Sequence, residues 1–482
     1  MENSILAIDI GASNITSIVA TKDFNNRINI LGVGIVQSAG VNKGNIIDIS
    51  LAGNTINESV LTAMSSSGST ISKAVVSLSG ANIKTIRSTG SVNITSGQIT
   101  EKEIKNVLEM AVYNANIIAD YEIVHVLPVF FRVDDGVSII NPLNMNGSRL
   151  EVSVNVITTK KTALTNIKNA LSIANIEVDK FVLAGYASSL AILDEDEKSA
   201  GTIVINLGGT TSQVVVYKGS TIIFSDFLPI GSENITKDLS IMLDTPYSSA
   251  NMVKNRYGTL LPINNDVENE AEQAENSPTH NIEKIKLQKI GTDNETKEIS
   301  LEQIQPILHA RVEEILLLIH DRLYDGSVFE NINGGIVLTG GMTLTKGVKE
   351  LAAKIFPNVT VKVSNPKSIQ NGYVDFDTPT LSTVAGLLIY ELDFPKNFEL
   401  DSNKSLKRKL IRRVVKKAAD GTTQTTNQTV AKEPFKENHI VSNNIKNIEM
   451  RNGMPVSKNQ PERADANSGI MNKVKEKLGR WF

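Results

Sequence analysis

The chain has 482 residues, a hydrophobic fraction of 41%, a formal net charge of −3 and no cysteine. This length predicts roughly three domain-sized units, and so small a net charge gives no general reason to expect nucleic-acid binding. The lack of cysteine excludes disulfides and cysteine–metal sites. No stretch reaches the roughly 18–20 apolar residues of a membrane span. Residues 1–10 lack a basic segment before an apolar run, so we expect no signal peptide and a cytoplasmic location.

The first 90 residues alternate between strand and helix patterns. Short apolar runs bounded by turn residues predict strands, and one longer segment between them predicts a helix. The predicted elements are strands at 5–10, 15–20, 28–36 and 73–80 and a helix at 50–66. This alternation is typical of a layered α/β domain.

The pattern changes between residues 91 and 158. Thr100 and Glu103 have the spacing of a capping box at the start of a predicted helix, 101–114. Two strand-rich runs, VHVLPVFFRV and RLEVSVNVIT, follow on either side of an NPLNMNG loop. These features indicate a small inserted α+β unit. A helix at 162–175 and a strand at 181–185 then return the chain to the first layer.

The second half is again mixed α/β. A hairpin is predicted at 202–217, and residues 264–276 carry five acids and no base, which indicates a solvated loop. The other predicted elements are helices at 232–243, 247–257, 301–324, 346–355 and 380–391 and strands at 334–341 and 359–363.

The composition shifts from about residue 395. Residues 418–469 are rich in Thr, Asn, Gln and Lys and have too few large apolar side chains to form a core. Segment 404–417, KSLKRKLIRRVVKK, has eight bases and no acid. Its apolar residues share one face of a predicted helix, which is either the last helix of the folded part or a second membrane contact. Nucleic-acid binding is disfavoured because no aromatic residues are interleaved.

The C-terminal segment 469–482 has the pattern of an amphipathic helix. The apolar side chains share one face, and the chain's single Trp lies next to a terminal Phe, as interfacial anchoring prefers. A helix of about 20 Å is too short to span a bilayer. We therefore expect it to bind a membrane surface, the alternative being a helix docked on the core. The residues predicted to bind the membrane are Ile470, Met471, Lys473, Val474, Lys477, Leu478, Arg480, Trp481 and Phe482.

One turn occurs twice in the chain. ILAIDIGASNITSIV (5–19) and TIVINLGGTTSQVVV (202–216) each predict a strand, a glycine turn and a returning strand. Small residues let backbone N–H groups approach an anion, and the hydroxyls of Ser13, Thr210 and Thr211 can donate to phosphate oxygens. Facing each other across a cleft, two such hairpins would hold a nucleotide's phosphates from both sides. The alternative is that both glycine turns are purely structural.

These motifs resemble the nucleotide-binding elements of the superfamily of actins, heat-shock chaperones and sugar kinases. ILAIDIGAS is similar to its first phosphate element, INLGGTTSQVVV to its second and GIVLTGGM (335–342) to its adenosine element. Within the superfamily the chain most resembles the FtsA family of bacterial cell-division proteins. The segments that carry this resemblance over residues 5–390 are, in family order, GVGIVQSAGVNKGNIID, VVSLSG, ITEKEIKNVLEMA, VHVLPVFF, NPLNMNGSRLEV, VLAGYASSLAIL, LPIGSENITKDLS and STVAGLLIY.

The resemblance implies an α/β, actin-like two-lobed ATPase fold with an FtsA-type inserted subdomain, a disordered linker and a C-terminal amphipathic helix. The implied boundaries are a first lobe (1A) at 1–83 and 163–198, an inserted subdomain (1C) at 84–162, a second-lobe core (2A) at 199–225 and 311–394, a smaller subdomain (2B) at 226–310, a mostly disordered linker at 395–468 and the membrane-binding helix at 469–482.

The resemblance also implies that the cleft binds ATP with Mg²⁺. Asp9 is the candidate magnesium residue. The residues expected to bind the nucleotide are Asp9, Gly11, Ala12, Ser13, Asn14, Asn206, Gly208, Gly209, Thr210, Thr211, Gly231, Lys254, Gly340, Gly341 and Met342.

The chain departs from the family pattern where hydrolysis is concerned. Asn206 stands where relatives usually carry Asp, and Gln213 stands where many carry a further acid. A neutral amide binds a magnesium-bound water less strongly than a carboxylate does. Asn14 and Asn251 replace residues that often contact phosphate and ribose, whereas Lys254 is retained. We therefore expect ATP binding with slow or absent hydrolysis, and no catalytic residue is assigned.

By resemblance, the chain is expected to polymerise on the cytoplasmic face of the bacterial inner membrane at the division site. It would tether the tubulin-like protein FtsZ by its C-terminal tail, at 226–310 with 295–311 as the best candidate, and recruit later divisome membrane proteins. The inserted unit would make polymer contacts. An anionic lipid surface is the expected membrane partner, and no nucleic acid is expected.

Three other classes of protein agree less well with the sequence. A metabolite or sugar kinase needs a catalytic Asp base, for which the sequence offers no clear candidate. A pilus-assembly relative of the FtsA family generally lacks the linker and terminal helix. A chaperone needs a β-rich domain after residue 390, and residues 395–482 are too polar for one. The five histidines, among them His125, show no spacing typical of metal ligands.

Overall fold

The computed structural model describes residues 4–408, except 24–26, 81, 220, 262–283, 292–294, 327, 330–331, 367–368, 370–375 and 395–397, and also describes 413–417 and 423–427. Residues 1–409 form one compact unit and residues 410–482 a second. The predicted acidic loop at 264–276 and the predicted membrane-binding helix at 469–482 lie outside the described residues.

The first 200 residues follow the predicted alternation of strands and helices, with several short elements added. In chain order the elements are β1 (Ile5–Ile10), β2 (Asn14–Lys22), β3 (Ile28–Gln37), β4 (Val41–Asn42), β5 (Asn45–Ile46), α1 (Ile49–Ser67), β6 (Lys73–Leu78), β7 (Lys84–Asn93), α2 (Glu101–Asn114), β8 (Tyr121–Val133), β9 (Arg149–Lys160), α3 (Lys161–Ile173), β10 (Glu177–Leu183), α4 (Ala184–Ile192) and α5 (Glu195–Ala200).

The remaining described residues complete the fold, with 3₁₀ turns at Gly341–Leu344 and Pro379–Leu381. The other elements are β11 (Ile203–Leu207), β12 (Ser212–Lys218), β13 (Thr221–Leu228), α6 (Ser232–Met242), α7 (Tyr247–Tyr257), β14 (Ile285–Gln288), β15 (Thr296–Ile299), α8 (Leu301–Asp325), β16 (Ile336–Thr339), α9 (Val348–Ile355), β17 (Val361–Val363), α10 (Ser382–Leu392), β18 (Glu399–Leu400), β19 (Leu406–Lys407), β20 (Arg413–Lys417) and β21 (Thr423–Asn427).

Two sheets of the same local topology form the two lobes. The first-lobe sheet has the order β10-β6-β1-β2-β3, and the second-lobe sheet has the order β13-β12-β11-β16-β17. In the first, β1 pairs antiparallel with β2 and parallel with β6. In the second, β11 pairs antiparallel with β12 and parallel with β16. Both predicted hairpins are therefore confirmed. The first strand of each hairpin, β1 or β11, is the central strand of its sheet.

Helix α1 lies close against β3 because that strand carries glycines on the facing side. A Cβ atom at Gly32 would lie 2.0 Å from the carbonyl oxygen of Ala63, and one at Gly34 would lie 1.9 Å from that of Ser59. The Ser59 hydroxyl donates to Ser17 Oγ on β2 at 2.8 Å, which joins the helix to the first hairpin. This packing joins α1 to β2 and β3, the two strands that follow β1 in the order of the sheet.

The inserted unit has its own core and sheet. Its strands run in the order β19-β18-β8-β9-β7, and helix α2 packs on this sheet through Ile104, Val107, Leu108 and Ala111, all of them buried. The predicted capping box is present, since Thr100 accepts a bond from the start of α2 and Glu103 accepts the Thr100 backbone N–H. The Thr100 hydroxyl accepts the Lys102 N–H at 3.2 Å, so a free N–H group in the first turn of α2 gains a side-chain partner.

The structure differs from the sequence predictions near the end of the compact unit. Helix α10, predicted as second-lobe core, packs with first-lobe residues through Val384, Leu387 and Leu388. Residues 398–408, predicted as linker, fold instead, because β18 and β19 extend the sheet of the inserted unit. These residues escaped prediction since a two-residue strand leaves no periodic pattern.

The predicted helix at 404–417 is also wrong. Residues Leu406–Lys407 form β19, and Arg413–Lys417 form β20, which pairs antiparallel with β21. Residues 423–427 were predicted not to fold, and they form the partner strand. Apolar residues spaced for a helix were the only local signal there, and strand pairing overrode it.

Candidate functional site

A cavity of about 850 Å³ lies between the two lobes, and both hairpins reach its wall. The predicted site residues that line it are Asp9, Gly11, Ala12, Ser13, Asn14, Asn206, Gly208, Gly209, Thr210, Thr211, Lys254, Gly340, Gly341 and Met342. The fold therefore brings together residues from the start, middle and end of the compact unit. Gly231 is the predicted site residue that is absent from this lining.

The first hairpin presents a carboxylate to the cavity. Asp9 lies near the end of β1 and is largely buried, and burial raises its pKa from 3.8 to about 6 although a hydrogen bond from Ser77 opposes the shift. Ser77 also accepts the backbone N–H of Ile10 at 3.0 Å. The turn itself requires Gly11, because a Cβ atom there would lie 2.6 Å from the carbonyl oxygen of Asn14. The first hairpin thus holds the Asp9 carboxyl group at the cavity wall, and no basic side chain of the described residues forms an ion pair with it.

The second hairpin presents an amide at the equivalent place. Asn206 Nδ2 donates to Ser188 Oγ at 2.8 Å and to Thr383 Oγ1 at 3.4 Å. These two partners lie on α4 and α10, so the amide ties the hairpin to the helices behind the cavity. The turn is closed by a bond from the Gly208 N–H to the carbonyl of Thr211, at 2.9 Å.

The two hairpins approach each other directly. A Cβ atom at Gly209 would lie 2.2 Å from Ser13 Oγ, so a larger residue there would displace the Ser13 hydroxyl. The Lys43 N–H donates to Thr210 Oγ1 at 3.0 Å, which makes a second contact between the lobes. Thr210 was predicted from sequence as a phosphate donor; in the structure its hydroxyl already accepts a bond from the first lobe.

Gly231 lies behind the second turn. A Cβ atom at Gly231 would lie 2.5 Å from the carbonyl oxygens of both Gly208 and Gly209. The next two residues, Ser232 and Glu233, donate their N–H groups to those same carbonyls at 3.0 and 2.7 Å. The structure thus shows a supporting role for Gly231, which lets α6 begin against the turn, while its predicted contact with the nucleotide stays a prediction.

The late glycine pair completes the rim. Gly340 has φ +91°, and a Cβ atom there would lie 2.4 Å from Asn206 Oδ1 and 2.5 Å from the carbonyl oxygen of Leu207. Only glycine meets both conditions without strain. The following turn places Gly341 and Met342 on the cavity wall.

Helices α6 and α7 form a wall that sequence reasoning largely missed. Glu233 and Tyr247 line the cavity together with Asn251 and Lys254. Burial raises the pKa of Glu233 and lowers that of Lys254, and the attraction between the two opposes each shift. The Lys254 ammonium lies 3.4 Å from the carbonyl oxygen of Ser232. The sequence signal for this wall is the GSE run at 231–233, at the start of α6.

The lining residues fit a magnesium–nucleotide complex. Among the described residues the cavity's acids are Asp9 and Glu233, and no group of three or more His, Cys, Asp or Glu is placed to hold a metal ion. Magnesium prefers one or two carboxylates together with phosphates and water, so such a cluster is not needed. Gln213 lines the cavity, is 5% exposed, and its Oε1 has no hydrogen-bond partner among the described residues. That oxygen can therefore accept a hydrogen bond from a water molecule or a ligand in the cavity.

The comparisons with known proteins agree with this architecture. A family model described as "Cell division protein FtsA" matches residues 203–386. A second, "SHS2 domain inserted in FTSA", matches residues 80–158, the region of the inserted unit.

Curated relatives extend the match over most of the chain. The cell division protein FtsA of Helicobacter pylori is 31% identical over 426 residues, covering 83% of this chain and 84% of the relative. That of Borreliella burgdorferi is 31% identical over 392 residues, covering 81% and 91%. Among solved structures, a PilM–PilN type IV pilus biogenesis complex superposes with a TM-score of 0.56 at 15% identity, covering 81% of this chain and 98% of that one, which shows a shared fold alone. The chain has an actin-like fold and belongs to the FtsA family of cell-division proteins.

Proposed function

We propose that this chain binds ATP between its lobes, polymerises on the inner face of the cytoplasmic membrane, anchors the FtsZ ring and recruits later divisome proteins. The observation that carries the proposal is the convergence of both glycine hairpins and the Gly340–Met342 turn on one cavity, in a member of the FtsA family. Backbone N–H groups at such turns suit phosphate oxygens.

The residues have separate tasks in this proposal. The turns at 11–14 and 208–211 would hold the phosphates, and Gly340–Met342 with Lys254 would face the nucleoside. Asp9 would hold Mg²⁺, which when bound neutralises phosphate charge. Asn206 already donates to Ser188 and Thr383, and Gln213 is neutral, so neither supplies a general base. Hydrolysis is therefore slow or absent.

Membrane attachment would depend on segment 469–482, which lies outside the described residues. Within those residues, no helix has the length and apolarity needed to cross a bilayer. Burial of the apolar face of segment 469–482 would supply roughly 6–10 kcal/mol gross, and the excess of basic residues in the segment would add roughly 3 kcal/mol on anionic lipid. Ordering the helix consumes much of this. A single helix would therefore bind the membrane weakly, whereas a polymer would bind it stably through the helices of many subunits.

Partner contacts are assigned by family membership. The FtsZ tail would bind the region 226–310, and the inserted unit would contact neighbouring subunits and later division proteins. This places the proposed polymer interface on the part of the chain that has its own sheet and core.

Co-sedimentation with anionic vesicles tests the proposal. The full chain and a chain ending at residue 465 are each pelleted with and without ATP, and ATP binding is measured separately by calorimetry. We expect the full chain to pellet most with ATP and the shortened chain to remain in the supernatant while still binding ATP. Equal pelleting of both chains, or no ATP binding by either, would contradict it.

A further inference from the structure

Residues 398–408, called the strap below, cross from the first lobe to the inserted unit. Phe398 and Leu400 are buried in the core of the inserted unit. Leu400 pairs with Val126 of β8, and β19 pairs with β18. The strap is the last part of the compact unit before the C-terminal region begins at residue 410.

The strap carries a fully buried carboxylate. Glu399 is 0% exposed, and its two oxygens accept three hydrogen bonds. Oε1 lies 2.7 Å from His125 Nδ1 and 2.6 Å from the Tyr390 hydroxyl, and Oε2 lies 2.9 Å from the Tyr186 hydroxyl. Burial, and after it the Glu399 charge, raises the pKa of both tyrosines well above the ordinary value, so both remain donors.

The imidazole orientation is set by its other neighbour. The Leu183 N–H donates to His125 Nε2 at 3.0 Å, so that nitrogen is an acceptor and the ring proton lies on Nδ1, facing Glu399. The three rings around the carboxylate meet edge to face, with His125 5.2 Å from Tyr186 and 5.8 Å from Tyr390. Every donor is therefore oriented by a contact of its own.

The donors come from both sides of a subdomain boundary. His125 belongs to β8 of the inserted unit, whereas Tyr186 and Tyr390 belong to α4 and α10 of the first lobe. Glu399 thus joins three separate elements at one point. Removing one member of a buried polar network leaves its partners unsatisfied, which costs far more than the loss of an exposed pair.

Further bonds hold the rest of the strap. Ser402 Oγ accepts the Phe181 N–H at 3.0 Å. The Lys407 ammonium lies 2.8 Å from Glu391 on α10, and Arg408 lies 2.9 Å from Glu101 on α2. The strap is therefore fastened to the first lobe at Phe181 and Glu391 and to the inserted unit at Glu101.

The network lies apart from the cavity although it uses the same helices. Ser188 on α4 and Thr383 on α10 hold Asn206 at the cavity wall, while Tyr186 and Tyr390 of these helices hold Glu399. Tyr186, Tyr390 and Glu399 are not among the residues that line the cavity.

We propose that Glu399 is a positioning residue that locks the inserted unit to the first lobe, and that this lock sets assembly of the chain without setting nucleotide affinity. The assembly half of this inference rests on the proposed function, in which the inserted unit makes polymer contacts. A unit released from the first lobe presents its surface in many orientations and so loses a defined interface.

The test uses Glu399→Gln in the full chain, which keeps the side-chain shape and removes the charge. Hydrogen exchange by mass spectrometry reports local opening of 398–408 and of β8. Loss of a charged hydrogen-bond acceptor predicts exchange on the order of 10- to 100-fold faster in both segments. ATP affinity by calorimetry should stay within about twofold, while ATP-dependent pelleting with anionic vesicles falls.

Asp393→Asn is the matched control. It removes one acid close to the strap in sequence, and its side chain is 64% exposed and pairs with Lys22 at 3.0 Å instead of entering the network. We expect wild-type exchange and pelleting from it. Tyr390→Phe removes one donor only and is the second variant if Glu399→Gln does not fold; it should show a smaller increase in the same two segments.

The outcomes separate the two ideas. Unchanged exchange at the strap in Glu399→Gln would overturn the lock, as would faster exchange spread evenly over both lobes with a matching loss of ATP affinity. Normal pelleting by a variant whose strap is open would overturn the link to assembly. If the wild-type chain binds no ATP, the proposed function fails, and exchange in the ligand-free protein still decides whether the lock exists.

Discussion

The two hairpins share a backbone and differ in the side chain at the end of the first strand. In β1 that residue is Asp9, a buried acid with a raised pKa that faces the cavity. In β11 it is Asn206, whose amide is bonded to Ser188 and Thr383. The first hairpin therefore presents an acid to the cavity, whereas the second uses its polar group to hold helices in place.

This difference shows that a repeated glycine turn can keep its backbone while its side-chain chemistry diverges. Backbone N–H groups and glycines determine how closely a phosphate would approach under the proposed function, and both hairpins have a glycine in the turn. The strand-end side chain determines whether a cation or water is also held. Changing this side chain in the second hairpin should therefore alter the rate of ATP hydrolysis, whereas changing it in the first hairpin should alter affinity for the magnesium–nucleotide complex.

The largest effect is expected when the second hairpin is made acidic. In Asn206→Asp with Gln213→Glu, both neutral positions gain a carboxylate, and a positioned base contributes at least about 100-fold in rate. We expect phosphate release from ATP to rise on the order of 100-fold, measured in a coupled assay. The single variants serve as controls. An unchanged rate in the double variant would show that these two positions do not limit hydrolysis.

The reverse change on the first hairpin should weaken ligand binding. Asp9→Asn removes the carboxylate proposed to hold Mg²⁺, and a charged contact of this kind is worth about 1.5–3 kcal/mol, or on the order of 10- to 100-fold in affinity. Calorimetry with ATP should show this loss in magnesium and little loss in EDTA. Equal losses in both buffers would argue that Asp9 acts on the fold and not on the metal.

The same variant should stabilise the ligand-free protein. Since burial raises the pKa of Asp9 from 3.8 to about 6, the native state binds more protons than the unfolded state between these values. The stability contributed by this group is fully present below pH 3.8 and is lost as the pH rises through about 6. Above that pH, Asp9→Asn should raise the free energy of unfolding by about 1–3 kcal/mol in urea denaturation, and the gain should vanish near pH 4. A gain that is independent of pH would assign the effect to packing.

A smaller effect is expected at the glycine that braces the second hairpin. Gly340→Ala places a Cβ atom 2.5 Å from the Leu207 carbonyl at φ +91°, so the free energy of unfolding should fall by about 1–3 kcal/mol. Gly341→Ala is the matched control, because its nearest described atom, Thr380 Cγ2, would lie at 3.6 Å. Thermal unfolding of the pair measures the difference, and equal melting temperatures would contradict the argument.

The smallest effect concerns the contact between lobes. Thr210→Val removes the acceptor of the Lys43 N–H while keeping the side-chain shape. A single neutral hydrogen bond contributes about 0.5–1.5 kcal/mol, so ATP affinity should fall by a few fold. Thr211→Val tests whether a hydroxyl in the same turn without this contact matters as much. A larger loss from Thr211→Val would shift the role of phosphate donor towards Thr211.

Local pattern predicted most of the elements that build the site. The hairpins, the capping box at Thr100 and the order of helices follow from apolar spacing and turn residues, because these signals act over a few positions. The lobe to which α10 belongs and the strands at 406–407 and 413–417 were predicted incorrectly. The position of α10 depends on packing against elements distant in sequence, whereas the two strands have apolar spacing that also fits a helix, and pairing with β18 and β21 decided the outcome.

The sequence alone was enough for the family, the two phosphate-type turns and the residues around them, because a glycine turn between two apolar strands is specified by its own neighbours. Only tertiary structure decided that the Asn206 amide holds Thr383, 177 positions away, and that Glu399 meets His125, 274 positions away. The physical reason is that a buried polar group must find a partner wherever packing brings one, and packing joins segments whose local patterns carry no trace of each other.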